Sequence, residues 1–412
     1  MRIRRVFISK RLVKLAIFTF CFISFIFIST RSNKLGIING VSQKARNKVS
    51  GHGNIIIDES KIFNRYPRFN SSYDIMDDMR DSFNIDQMGK RPKACFVTLV
   101  RNSEIDDLLT SIGYIREKFN KKFNYPWVFL NDEEFTDEFK NKVLSMLNST
   151  VEFGLVPKEH WSYPEYIDEE KAAQTRIDMA EIIYGDSESY RNMCRYQSGF
   201  FWRHELLMKY DWYWRVEPGI AYFCDILEDP FQFMQDNQKV YGFTISIHEF
   251  ESTIPTLWET TKNFVSNHTN LINSDNLLKF VSDDNGETYN MCHFWSNFEI
   301  GNLNFWRSKA YTEYFDYLDR AGGFFYERWG DAPVHSIAAS LLLPKKAIHF
   351  FPTISYYHGP YTNCPIDNDI FKKYNCECDQ NEDFTFQDYS CGVQYHDAQG
   401  IEKPKDWKKH TG

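Results

Sequence analysis

The sequence predicts an α/β protein: a largely parallel central sheet flanked by helices, preceded by one membrane-spanning helix. Three observations carry that expectation. Apolar runs of strand length alternate with helical patterns between residues 95 and 147. An uncharged apolar run fills positions 15–30. After about residue 60 no low-complexity linker or repeat period divides the chain, so one large body, or two fused ones, follows the span.

Residues 1–14 carry six bases and no acid. The run after them reaches membrane-spanning length once Leu12 and Val13 extend it and Lys14 snorkels outward. With the bases on its N-terminal side, 1–14 is a cytosolic tail, 15–30 a type II signal anchor and everything beyond it lumenal. A cleaved signal peptide is the rival reading. It lacks a small-x-small cleavage pattern, and Phe and Ile persist to the end of the run. So short a span suits the thinner membranes of the early secretory pathway.

Lumenal placement agrees with N-glycosylation patterns at Asn70, Asn148 and Asn267. It agrees too with eight cysteines outside the span, enough for up to four disulfides. Cys364, Cys376, Cys378 and Cys391 read as a stapled, loop-rich tail. Zinc is the alternative there, disfavoured because Cys-x-Cys does not match the usual Cys-x-x-Cys knuckle. The formal charge of −8 is a basic head of +11 over residues 1–50 followed by −19 over residues 51–412. A body that acidic excludes nucleic acid as a partner and fits a cation site better.

Residues 31–90 are polar and short of apolar periodicity, and read as a stem before a lumenal domain of 91–412. Residues 95–100 form the first buried strand. A helical pattern follows through Ile105, Leu108, Leu109, Ile112 and Ile115, then a second strand at 127–130 and a second helix from Glu134 to Leu147. Buried strands alternating with helices argue for a largely parallel sheet, whose ligands bind beyond the carboxyl ends of the strands. That places Arg101 at a site, able to meet a phosphate or a base edge. No Gly-x-Gly-x-x-Gly or Walker motif follows the first strand, which argues against dinucleotide enzymes and P-loop NTPases.

Residues 200–208 read as a helix with an aromatic face, and 212–216 as an aromatic strand ending at Glu217-Pro-Gly219. A carboxylate at a strand end, on a turn where Pro fixes one dihedral and Gly permits close approach, is well placed to hold a divalent cation. His358, in Tyr-Tyr-His-Gly-Pro, is a candidate second ligand, and mixed oxygen and imidazole ligation suits manganese better than magnesium. A lone Glu or His is more often structural. The stretch 289–300, Tyr-Asn-Met-Cys-His-Phe-Trp-Ser-Asn-Phe-Glu-Ile, reads as one strand with His293, Trp295, Asn297 and Glu299 on one face. That face is either a pocket wall for a hydroxyl-rich ligand or one side of a half-buried strand.

Together with the segments 190–196, 214–219, 327–335 and 356–360, this stretch resembles the fungal Golgi α-1,2-mannosyltransferases of glycosyltransferase family 15, in order from about Lys93 to Cys391. The resemblance implies a Golgi type II membrane enzyme with a GT-A-like fold. It would use GDP-mannose and Mn2+ to add α-1,2-mannose, with retention, to mannose-terminated N- or O-linked glycans of glycoproteins. It further implies Glu299 as nucleophile or oxocarbenium stabiliser, Tyr190 as an active-site hydroxyl, and Glu217 and His358 as metal ligands. Arg101, Asn297 and Asp331 are candidate donor ligands, and Trp295, Arg215 and Trp329 candidate acceptor ligands, with helix capping an equal reading of Asp331. A catalytically silent mannose-binding homologue and a metal-dependent hydrolase are the other classes. Joint presence of Glu299, Glu217 and His358 argues against the first, and the missing cluster of His and Asp ligands against the second.

Overall fold

A computed structural model describes residues 73–411. The tail, the apolar run at 15–30, most of the stem and the Asn70 pattern lie outside the described residues, among which no helix is long and apolar enough to cross a membrane. Asn148 and Asn267 are both exposed. The globular body takes in part of the segment read as stem: Ile75 and Met79 are buried, and Gln235 donates to the carbonyls of Gln87 and Lys90.

Among the described residues twelve short strands run in chain order: β1 (Ala94–Leu99), β2 (Trp127–Asn131), β3 (Val151–Leu155), β4 (Trp212–Arg215), β5 (Ala221–Tyr222), β6 (Tyr241–Phe243), β7 (Ser246–His248), β8 (Cys292–Phe294), β9 (Ile300–Asn302), β10 (Ile348–Phe350), β11 (Tyr356–His358) and β12 (Tyr361–Asn363). Seven make the central sheet, in the order β10-β6-β9-β4-β1-β2-β3. β9 is antiparallel to both of its neighbours and every other pairing is parallel, so the sheet is largely parallel, as expected, and mixed by one reversed strand.

Both faces of this sheet are covered, which is why its strands are apolar runs rather than alternating ones. Along β1, Cys95 and Val97 join the core on one face, while Ala94 and Phe96 join the core on the other. Phe96 stacks on Trp127 at 4.5 Å between ring centroids and tilts against Trp214 at 5.4 Å, so the aromatic excess is largely core packing. Helix α1 (Ile105–Ile115) buries Leu108, Ile112 and Ile115, one face at helical spacing. Helix α2 (Asp137–Met146) starts where Thr136 Oγ1 accepts from the Phe139 amide.

Two expected elements are relocated. The helix of the 190–208 region is α3 (Glu188–Gly199), capped by Ser187, and residues 201–207 form short 3-10 turns because Phe201 and Trp202 bury as loop anchors. The stretch 289–300 is not one strand. Cys292–Phe294 pairs with β7 in a separate two-stranded sheet, the chain turns at 295–299, and β9 then enters the central sheet. The alternation read into it is therefore lost, and residues from both supposed faces are buried.

Among the described residues three disulfides join Cys224 to Cys376, Cys292 to Cys391 and Cys364 to Cys378. Only the last is internal to the tail; the others tie the tail to β8 and to the loop after β5. Cys95 and Cys194 are free and buried.

Candidate active site

At the carboxyl end of β4 the chain turns through Glu217-Pro218-Gly219. Gly219 has φ +79°, the left-handed region that glycine enters without strain. The Ile220 amide donates to Ser111 Oγ of α1, fixing the turn, and β5 then pairs antiparallel with β11. That register, Tyr222 opposite Tyr356 and Ala221 opposite Tyr357, carried one residue further, brings His358 back beside the turn. Glu217 Oε1 accepts from the Arg215 guanidinium, while Oε2 faces His358 Nε2 at 3.8 Å, too far for a hydrogen bond. The two side chains are 28% and 30% exposed.

This pair fits a divalent cation. One carboxylate oxygen is committed to Arg215 and the other is directed at an imidazole nitrogen, a mixed oxygen and nitrogen donor set for a divalent cation. The other grouping of possible metal ligands among the described residues, His248, Cys292 and Cys391, includes two cysteines already joined to each other.

Arg215 is the buried hinge of the site. Its NH1 donates to Asp331 Oδ2 at 2.5 Å, and Ser296 Oγ donates to the same oxygen at 2.7 Å. Burial works against the charge on Arg215, but Glu217, Asp331 and Glu299 outweigh it and hold the guanidinium protonated. Asp331 likewise stays below the usual carboxylate range: burial opposes ionisation, and Arg215 and His335 overcome it. Asp331 opens helix α4 (Asp331–Leu342) as its first residue; Gly330 occupies the cap position, so Asp331 is an ion-pair partner rather than a cap.

Glu299 is not on an open wall. It is 0% exposed; Tyr213 donates to Oε2 at 2.8 Å, Tyr241 to Oε1 at 2.8 Å, and His335 Nδ1 lies 2.7 Å from Oε1. Its backbone carbonyl accepts from the Arg215 amide at 2.8 Å, which places it directly behind the ion-pair cluster. Trp329 is no platform either. It is 1% exposed, packed so closely over Gly323 that a Cβ there would lie 2.0 Å from its indole, with Nε1 donating to Glu327.

Asn297 is buried and accepts from Tyr356 OH at 3.0 Å. Trp295 is half-buried, edge-on to His358 and to Tyr361, so of the two tryptophans it is the one beside the Glu217 and His358 pair. Arg101 is exposed beyond β1 and donates to Ser189 Oγ at 2.5 Å, next to Tyr190 at the start of α3. Tyr190 is half-buried under the Arg328 guanidinium, and burial pushes its phenol well above the ordinary range.

Sequence reasoning missed Ser296, His335, Tyr213 and Tyr241, each a polar atom inside an aromatic or apolar segment. The signal for His335 was at hand, four residues after Asp331 and so on the same face of α4.

With this geometry in view, the comparisons with known proteins are specific. The family model described as Glycolipid 2-alpha-mannosyltransferase matches residues 44–400. The chain belongs to that family. A glycolipid 2-alpha-mannosyltransferase of Saccharomyces cerevisiae is 65% identical over 320 residues, 77% of this chain and 72% of the relative. The alpha-1,2 mannosyltransferase KTR1 of the same yeast is 59% identical over 326 residues, 79% of this chain and 83% of that one. Among solved structures, core-mannan synthase A (CmsA/Ktr4) of Aspergillus fumigatus in its Mn/GDP form superposes with a TM-score of 0.71 at 40% identity, covering 76% of this chain and 87% of that one. The mannosyltransferase Ktr4p of S. cerevisiae with GDP gives 0.70 at 34% identity, covering 88% and 96%.

Proposed function

We propose that the chain is a retaining α-1,2-mannosyltransferase that moves mannose from GDP-mannose to mannose-terminated O- or N-linked glycans of secretory glycoproteins. The observation that carries this is the Glu217 and His358 pair at the strand-end turn, backed by Arg215 and Asp331, in a family with one solved member in an Mn/GDP form and another in complex with GDP. Manganese held by Glu217 and His358 would supply Lewis-acid neutralisation of the leaving diphosphate. Arg215 fixes the Glu217 carboxylate by occupying one of its oxygens. Tyr190, kept protonated by burial, serves as a hydrogen-bond donor rather than an oxyanion.

The burial of Glu299 favours the front-face route, in which the acceptor hydroxyl attacks on the leaving-group side and no ester forms on the enzyme. In this reading Glu299 is a positioning residue that acts through Arg215. Residues 15–30 anchor the enzyme in the Golgi membrane with its body lumenal.

Full-length enzyme in detergent, given GDP-mannose, Mn2+ and methyl α-mannoside, should yield an α-1,2-linked dimannoside, read by linkage and anomeric analysis. GDP release without acceptor would make it a hydrolase. Donor binding without release would make it a silent mannose-binding homologue.

A further inference from the structure

Two segments at the amino ends of β2 and β3 enclose a cavity that the active site does not use. Its volume is about 190 Å³, far more than a single water needs. One side is the helical continuation of α1, residues 116–123, and the other is Leu147-Asn148-Ser149, which leads into β3. Arg116 NH1 donates to the Met146 carbonyl at 3.1 Å and ties the two sides together. Strands β1 to β4 run parallel, so this edge of the sheet is the one opposite Arg101 and Glu217.

Asn148 opens the pattern Asn-Ser-Thr and lines this cavity while remaining exposed. Its side chain makes no hydrogen bond among the described residues. The pattern at Asn267 differs, because Nδ2 there donates to the Asn263 carbonyl of its own helix at 2.8 Å. Ser149 Oγ, in the cavity wall, is buried without a hydrogen-bond partner among the described residues. A buried polar atom left so costs free energy until a ligand completes it.

The rest of the wall mixes the chemistries that a sugar ring needs. Leu147 is an apolar side, Arg116 and Lys121 bring donors, and Glu117, paired with both, brings acceptors. A pyranose has C–H faces and a rim of hydroxyls, and such a wall meets both.

We propose that Asn148 carries an N-linked glycan whose first N-acetylglucosamine seats in this cavity. Attachment replaces one Nδ2–H bond of Asn148 by a bond to the anomeric carbon of a lipid-diphosphate-linked oligosaccharide. The anomeric C–O bond breaks, the lipid diphosphate leaves, and the Asn148 proton is released. The proposal rests on the lumenal placement of the body. Seated at this edge, the glycan braces the end of α1 against the entry to β3 and stays clear of the transfer reaction.

The test uses full-length enzyme produced in a yeast host and purified from its membranes. An endoglycosidase that leaves a single N-acetylglucosamine, followed by peptide mass spectrometry, should find that sugar on Asn148, and Thr150→Ala should remove it. A bare Asn148 in the wild type overturns the proposal. Protease protection in sealed membrane vesicles then tells separately whether the lumenal placement fails with it. The trimmed enzyme should keep the thermal midpoint of the untrimmed one. Asn148→Gln should lower it by about 2 °C, the shift of one or two hydrogen bonds in a body of this size. Glu117→Ala should lower the midpoint of the glycosylated enzyme more than that of Asn148→Gln, because only the former has a sugar contact to lose. Equal shifts in the two backgrounds, or a midpoint already lowered by trimming, overturn the seat. Transfer by Asn148→Gln should stay within about twofold of the wild type, and a larger loss would contradict the separation of this cavity from the active site.

Discussion

Replacing Glu299 with glutamine decides whether this carboxylate is a buried hub or a group that meets the sugar. Hydrogen counting fixes the starting state. Trp306 Nε1 donates to Tyr213 OH at 3.1 Å, so that hydroxyl's own proton goes to Glu299. His335 Nε2 lies 3.1 Å from the Gln197 carbonyl and must donate to it, so a further proton sits between Nδ1 and Glu299 Oε1. Glutamine can face Tyr213 with its oxygen and His335 with its amide, but Tyr241 then meets a donor where it had an acceptor. One hydrogen bond to a charged acceptor is lost, about 1.5–3 kcal/mol, on the order of 2–4 °C for a body of this size. Alanine strands all three partners around a cavity and should cost about 3–5 kcal/mol. Urea unfolding followed by tryptophan fluorescence should rank wild type above Gln above Ala. Mn-dependent GDP binding by the Gln variant should stay within about threefold. A Gln variant as stable as the wild type, yet devoid of transfer, would refute the argument, because the carboxylate would then be doing chemistry and not holding the fold.

Three further outcomes follow from other parts of the molecule. Glu217→Ala and His358→Ala should each weaken Mn-dependent GDP binding by about tenfold or more while leaving metal-free GDP binding alone; an unchanged affinity, measured by calorimetry, rejects the pair as metal ligands. Burial lifts the Asp383 carboxyl from 3.8 to about 6 against hydrogen bonds from the Cys364 amide and from Thr385, so the folded state holds a proton that the unfolded chain has already released. The protonated group's contribution, at most about 3 kcal/mol, is fully present below 3.8 and lost as pH rises through 6. The thermal midpoint of the wild type relative to Asp383→Asn should therefore climb from pH 7 to pH 4, and parallel curves would contradict it. Finally, the bridge between Cys224 and Cys376 spans a sequence separation of 152, for which loop-closure entropy gives about 5 kcal/mol. The double Ser variant should unfold at markedly lower urea, and a midpoint shift below about a tenth of the wild-type value would show that the tail is held by packing instead.

The strand and helix order from β1 through α2 was legible because each element there is long enough to show a period, with apolar runs at β1 and β2 and a helical stripe at Leu108, Ile112 and Ile115. Glu217 and His358 were legible for a different reason: turn chemistry and histidine are local signals, and the structure brings the two together. Glu299, Asp331 and Trp329 were read as groups that meet the ligand because residue type in a sequence says nothing about what lies opposite. Glu299 is buried since two tyrosines and a histidine, distant in the chain, supply its partners. The disulfide pattern was illegible for the same reason, as the partners of Cys376 and Cys391 lie 152 and 99 residues away.

The reversed strand β9 explains why the site assembles where it does. Six strands of the central sheet share one direction, so the carboxyl ends of β1, β4 and β6 lie along one edge and deliver Arg101, Glu217 and the chain toward β7 to it. Had β9 run the same way, the residues entering it would lie at the opposite edge. Because it is antiparallel to β4, with Ile300 opposite Trp214, the residues just before β9 stand beside those just after β4. The bond from the Arg215 amide to the Glu299 carbonyl marks that junction, and Ser296 reaches Asp331 from the same turn. Open α/β sheets bind ligands where strand direction or order switches, and a three-residue strand creates the switch here. Gly301 at its centre lies so close to the Tyr213 ring that a Cβ would stand 2.7 Å from it, and that same ring sends its hydroxyl to Glu299. A side chain at Gly301 would therefore push Tyr213 off the carboxylate and, through the Glu299 carbonyl, disturb the Arg215 that fixes Glu217.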